Sequence, residues 1–134
     1  MQKRITIYFF KKTVYFFFKR KKKIMSKKGI VYLLGDFEKE GFYKIGVTTG
    51  KIENRIKKLQ TGNGGEIYLV KYHKSEKPFF IEKYLHKTFF SSNIKNEWFY
   101  LTIEDINKFE EYCEKGEKII QSLKDNVFFN KEYK

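Results

Sequence analysis

The residues most able to do chemistry sit in the segment FFIEKYLHKTFF, positions 79–90. Glu82 and His86 are four apart, so on a helix they share one face, one turn above the other. The apolar face of that helix is predicted to be Phe79, Leu85, Phe89 and Phe90, with Glu82 and His86 in its middle. An ionised carboxylate buried alone costs several kcal/mol, against a total folding stability of roughly 5–15 kcal/mol. Glu82 therefore needs a cation, a metal or a cleft. The plainer alternative pairs Glu82 with Arg55 or a lysine and makes His86 a satisfied core histidine. Lys44 stands out in another way. It alternates against Tyr43, Ile45 and Val47 along a strand and faces the side opposite them; the alternative is a solvated lysine at a sheet edge. Arg55 is expected at the border of a helical apolar stripe, from where it can reach over the sheet.

Other patterns fail. GVTTGKI, 46–52, is one residue short of a Walker phosphate loop and lacks the Ser/Thr after lysine. GNGG has no strand-to-helix GxGxxG spacing, and no Ser/His/Asp pattern is present. Cys113 is placed on an apolar helix face, where a thiol is inert. Glu97, beside the only Trp, is read as an exposed acid next to an aromatic anchor that closes the core.

These side chains need elements to hold them. Residues 30–34 are continuously apolar, as in a strand covered on both faces. A polar turn, 36–41, leads to a second, antiparallel strand at 43–48. Thr48 or Thr49 is expected to cap a helix over 52–60. At about 100° per residue, Ile52, Ile56 and Leu59 line one stripe and Lys57 and Lys58 point outward. TGNGGE is predicted to be a flexible loop, followed by a third strand at 66–72. Ser75 is expected to cap the helix that Pro78 opens, running to about residue 90. SSNIKN reads as a polar loop and EWFYL as a short strand or extended piece. Thr102 and Asp105 form a capping-box pattern ahead of a last helix over 103–123, whose Ile106, Phe109, Tyr112, Cys113, Ile120 and Leu123 dock on the core. The expected fold class is α+β: a small three-stranded antiparallel sheet flanked by helices, with a C-terminal amphipathic helix. The domain spans 29–101, preceded by an extension (1–28) and followed by a helix and tail (102–134) whose last ten residues fray.

The chain has 134 residues, enough for one domain with a modest core. Its 19% aromatic content suits an ordered, Phe/Tyr-rich interior. A single cysteine excludes an internal disulfide, and with two histidines a structural zinc site is not expected; the expected setting is intracellular, in the cytoplasm. The net charge of +13 resembles a nucleic-acid signature, but residues 1–28 hold 11 of the 29 Lys/Arg and no acid, leaving 18 basic against 16 acidic residues. No apolar run approaches the roughly 20 residues a membrane span needs, so a membrane partner is not expected. The segment 1–24, with aromatic blocks between basic ones, is open to three readings: a basic arm for nucleic acid or a membrane surface, a disordered tail, or an over-extended start before Met25. On the first of these, the chain could also be a membrane-surface or structural protein.

The ordered residues resemble the GIY-YIG endonuclease superfamily. Gly29-Ile30-Val31-Tyr32 resembles the first motif, with one inserted residue or with Val31-Tyr32 as its end. Lys44-Ile45-Gly46 stands where YIG belongs, Arg55 falls at the arginine of the next helix, and Glu82 at the glutamate of the later one. With E-x-x-x-H and then E-W-F, the order is similar to a phage- and virus-borne, DNA-binding branch, over about residues 29–101. The chain departs where Lys44 replaces a tyrosine, where Leu59 replaces the His or Tyr of many members, and where only Asn93 or Asn96 answers the late asparagine.

This resemblance implies divalent-metal hydrolysis of DNA phosphodiester bonds, with Mg2+ or Mn2+ on Glu82. Tyr32, Lys44, Arg55 and His86 are then the catalytic candidates. Arg55 would offset charge developing on the phosphate. Tyr32 would activate water if nearby cations lowered its phenol from about 10, and Lys44 would contact the phosphate or help lower that value. The alternative is a non-catalytic DNA-binding module that keeps the fold.

Overall fold

Strand β1 (Gly29–Asp36) pairs antiparallel with β2 (Phe42–Thr48) on one side and β3 (Ile67–Ser75) on the other. Val31, Tyr32, Leu33 and Leu34 are all fully buried, so the continuous apolar run marks a strand covered on both faces. The computed structural model describes residues 27–125. The basic-aromatic segment, with the three readings of it, and the tail from 126 lie outside the described residues.

The sheet has five strands rather than the expected three, in the order β3-β1-β2-β5-β4. The additional strands are β4 (Asn93–Lys95), in the stretch expected to be a polar loop, and β5 (Trp98–Tyr100). β5 adds to β2 with Phe42 opposite Tyr100, Tyr43 opposite Phe99 and Lys44 opposite Trp98. Three residues are too few to show alternation, so pairing rather than local pattern makes them strands: β5 with β2, and β4 with β5. Asn96, in the left-handed region at φ 54, turns the chain between them, a conformation asparagine tolerates better than most residues.

One face of the sheet presents Val31, Leu33, Ile45 and Phe99 to helix α2 (Pro78–Thr88) and to α4 (Phe109–Lys124), through Ile81, Leu85, Phe109, Cys113 and Ile120. Burying each such side chain contributes about 1.5–3 kcal/mol. The other face presents Tyr32, Leu34 and Ile67 to helix α1 (Ile52–Thr61), whose Ile52, Ile56 and Leu59 form the expected stripe. Phe99, not Trp98, is the aromatic that closes the core; Trp98 faces the other way.

The capping box of Thr102 and Asp105 is present, but it opens a short helix, α3 (Ile103–Asn107), and the chain breaks at Lys108 before α4. The other expected caps differ. Thr48 Oγ1 accepts from the Gly50 N–H within the turn (3.2 Å), and Lys51 occupies the cap of α1 without a side-chain bond. Ser75 Oγ accepts from the Lys77 N–H (3.0 Å), and Lys77 precedes Pro78 at the start of α2. In both cases the hydroxyl satisfies a nearer donor. The glycine loop, expected to be flexible, is pinned: Gln60 Nε2 donates to the Gly65 carbonyl (2.8 Å), Gln60 Oε1 accepts from the Ile67 N–H (2.8 Å), and Asn63 Nδ2 donates to Asp36 Oδ2 (2.9 Å).

Candidate functional site

Tyr32 is the centre of the candidate site. Alternation along β1 turns it toward α1, where Arg55 Nε donates to its Oη at 3.2 Å. The phenol lies across Gly46 on β2, the residue paired with Tyr32. A Cβ at Gly46 would fall on Tyr32 Oη and Cζ, so glycine is what admits the ring. Burial pushes the Tyr32 phenol above its ordinary value of 10.0, and the Arg55 hydrogen bond and charge only partly offset this. The expectation that neighbouring cations lower it does not hold here, because desolvation of the phenolate outweighs one guanidinium. Arg55 in turn is held above its ordinary value, chiefly by that same hydrogen bond, and stays charged.

Lys44 is not a solvated edge residue. Its strand lies between β1 and β5, its side chain is 17% exposed, and its Nζ is 3.5 Å from Glu97 Oε2. The same Nζ stands 5.7 Å from the centre of the Trp98 ring, close enough for a cation–π contact. Tyr43 packs with the core of the opposite face, as the alternation requires, so it cannot take the place of the absent YIG tyrosine.

Glu82 and His86 are half-buried, with side chains 16% and 27% exposed and Glu82 Oε1 3.6 Å from His86 Nε2. They flank the apolar stripe rather than centre it. The buried positions of α2 are Pro78, Ile81 and Leu85, and Phe90 is 77% exposed because α2 ends at Thr88 and a 3-10 turn (Phe90–Ser92) redirects the chain. His86 Nε2 lies 2.9 Å from the Ile45 carbonyl. A carbonyl only accepts, so Nε2 carries the proton and ties α2 to β2. The ring also meets Phe99 edge-on, with centroids 5.0 Å apart. His86 thus has the contacts of a satisfied core histidine. The negative charge of Glu82 acts on both Tyr32 and Arg55, and that of Glu97 acts on both more strongly.

Five side chains from four elements and one turn therefore share one electrostatic neighbourhood: Tyr32, Lys44, Arg55, Glu82 and Glu97. Glu97 was missed as a member of it. The signal was its place one residue before Trp98, which pairs with Lys44; this becomes visible once EWFYL is added to the sheet beside KIG. Among the described residues no three His, Cys, Asp or Glu side chains are grouped to hold a metal ion. A closed protein cage is therefore absent from this site. A single hard carboxylate such as Glu82 fits Mg2+ differently, because that ion commonly keeps several waters and is held by one or two carboxylates together with substrate phosphates.

Residues 29–114 match the T5orf172 domain. The chain belongs to that family. The match runs from β1 through β5 into α4, and so takes in every residue of the site. The T5orf172 domain is found in phage-type endonuclease-like proteins and is loosely compatible with a nuclease superfamily, but no GIY-YIG family matches. No curated protein and no solved structure matches the chain. Among the described residues no helix is long and apolar enough to cross a membrane.

Proposed function

We propose that this T5orf172 protein is a metal-dependent DNA endonuclease or nickase of GIY-YIG type. The observation that supports it is the meeting of a charged arginine, a lysine and two partly buried carboxylates around one buried phenol. In this reading Arg55 grips a phosphate oxygen with the guanidinium nitrogens that Tyr32 does not use, and offsets charge as it builds in the transition state. Tyr32 accepts from Arg55 and keeps its own proton, so from its buried place it positions the guanidinium rather than acting as the base. Lys44 neutralises a second phosphate oxygen, and Glu97 and Trp98 fix its position. His86 anchors α2 on β2 and thereby sets Glu82, which would hold Mg2+ or Mn2+. Such a cation, when bound, supplies charge neutralisation at the phosphate and a source of activated water.

A non-catalytic DNA-binding module is the second reading, and one observation favours it: burial raises the Tyr32 phenol, which unsuits Tyr32 for the role of general base. Plasmid nicking by the full-length protein in Mg2+ or Mn2+ separates the two. Arg55→Ala should lose about 10²–10³ in rate, and Glu82→Ala should lose activity altogether. Wild-type protein that shifts DNA without cutting it leaves the binding module. Nicking that survives Glu82→Ala removes Glu82 as the ligand.

A further inference from the structure

The apolar stripe of α1 packs on Tyr32, Leu34 and Ile67, over β1 and β3. The same sheet face continues past Lys44 onto β5, outside that contact. Trp98 and Tyr100 are two apart on β5 and so point to one side, opposite Lys44 and Phe42 of β2. Tyr100 is the more exposed, at 58%, yet its ring is held on two sides. Phe42 meets it edge-on with centroids 5.9 Å apart. Gly41, at φ 84, lies beneath it, where a Cβ would come within 2.7 Å of the ring. Basic side chains adjoin the pair: Lys44 beside Trp98, and Lys95 of β4 opposite Trp98.

A partly exposed Trp98 and an exposed, positioned Tyr100 beside lysines match the chemistry of unpaired nucleotides, whose bases stack on aromatic rings while their phosphates meet lysine and arginine. Within a duplex the base faces are occupied by one another, so such rings reach only bases that have left the stack. The spacing agrees. Two residues along a strand cover about 6.7 Å, twice the roughly 3.4 Å rise of stacked bases. Neighbouring bases therefore sit on both rings only in an unstacked strand.

We propose that Trp98 and Tyr100 form a stacking platform for single-stranded DNA beside the Arg55–Tyr32 site. This deepens the proposed function and rests on its DNA-binding part. Since Trp98 is the only tryptophan in the chain, its fluorescence reports directly on the platform. Full-length protein is titrated with oligothymidylate and with a duplex of equal length at one salt concentration. Oligothymidylate should quench Trp98 and bind more tightly than duplex. Tyr100→Leu, which keeps an apolar contact with Gly41 and Phe42 but has no ring, should lose roughly tenfold in oligothymidylate affinity and none for duplex; Tyr100→Phe should match wild type. Equal quenching by both DNAs, or an equal loss for both in Tyr100→Leu, overturns the platform and leaves DNA binding standing. Failure of both DNAs to bind overturns the platform and the proposed function together.

Discussion

Gly46→Ala is the sharpest test of how the site is built. The added methyl would land on Tyr32 Oη and lie 2.5 Å from Cζ and 2.7 Å from Cε2. A rigid ring cannot yield as a flexible chain end would. Tyr32 is fully buried on an interior strand beneath Ile52, Ile56 and Leu59, so it must tilt into α1 or the two strands must separate. Overpacking of this kind costs about 1–3 kcal/mol. Moving Oη also breaks the 3.2 Å bond from Arg55. A hydrogen bond to a charged group contributes about 1.5–3 kcal/mol, but Arg55 is half-exposed and water can replace part of it, so about 1 kcal/mol is the fairer share. Together the loss is about 2–4 kcal/mol, a large part of a domain's total of roughly 5–15 kcal/mol. For a domain of this size the midpoint of thermal unfolding should fall by 10 °C or more, at about 4–8 °C per kcal/mol. Circular dichroism melting of wild type and variant measures it. A midpoint within about 2 °C of wild type would refute the assignment of Gly46 as the seat of the Tyr32 ring, and with it the geometry of the Arg55 contact.

Three further outcomes are expected. Lys44→Ala removes a 3.5 Å ion pair with Glu97, worth about 0–1 kcal/mol, so it should barely change stability. It should nevertheless weaken DNA binding and reduce the salt slope by about one, which titrations at several salt concentrations measure. Asp36 accepts from Asn63 Nδ2 and from the Glu38 N–H, and the Asn63 bond foremost holds its carboxyl below the ordinary 3.8. A folded value below the unfolded one gives stability that is fully present above pH 3.8 and is lost as pH falls through the lower folded value; acid titration of stability should show this loss in wild type and not in Asp36→Asn. Cys113 is fully buried, and burial pushes its thiol up to about 12, so a thiol reagent should label it only at the rate of unfolding and at once in denaturant.

Much of this architecture is legible in the residues. Val31 to Leu34 gave an unbroken apolar run, which only a doubly covered strand requires, and Ile52, Ile56 and Leu59 set the side of α1 from which Arg55 reaches Tyr32. What local pattern could not carry was pairing between distant segments. The additional strands are three residues each and take their identity from pairing, β5 with β2 and β4 with β5, so Glu97 and Trp98 were assigned to a core-closing corner instead of to Lys44. The error on α2 has a related cause. Counting Phe90 as apolar face displaced the stripe toward Glu82 and His86, whereas the helix had already ended and Ile81 held the core position. Hydroxyl caps failed because Thr48 and Ser75 each found a nearer N–H, a competition that spacing does not reveal. Composition was read correctly, since the basic excess was placed mainly in residues 1–28 and given no weight for the domain.

The order of strands in the sheet has a consequence in time. β1, β2 and α1 are adjacent in sequence, whereas Lys44 and Trp98, neighbours across β2 and β5, are joined only by closing a long loop. On a ribosome adding roughly 5–20 residues per second, Tyr32, Lys44 and Arg55 emerge a few seconds before Glu97. The cationic half of the site is thus available to pair early, and its acidic counterweight arrives only with the last strand to join the sheet. Until then the nascent chain presents lysine and arginine without Glu97 beside them, in the presence of ribosomal RNA. Completion of β5 is therefore also the step at which Lys44 gains Glu97 as its ion-pair partner.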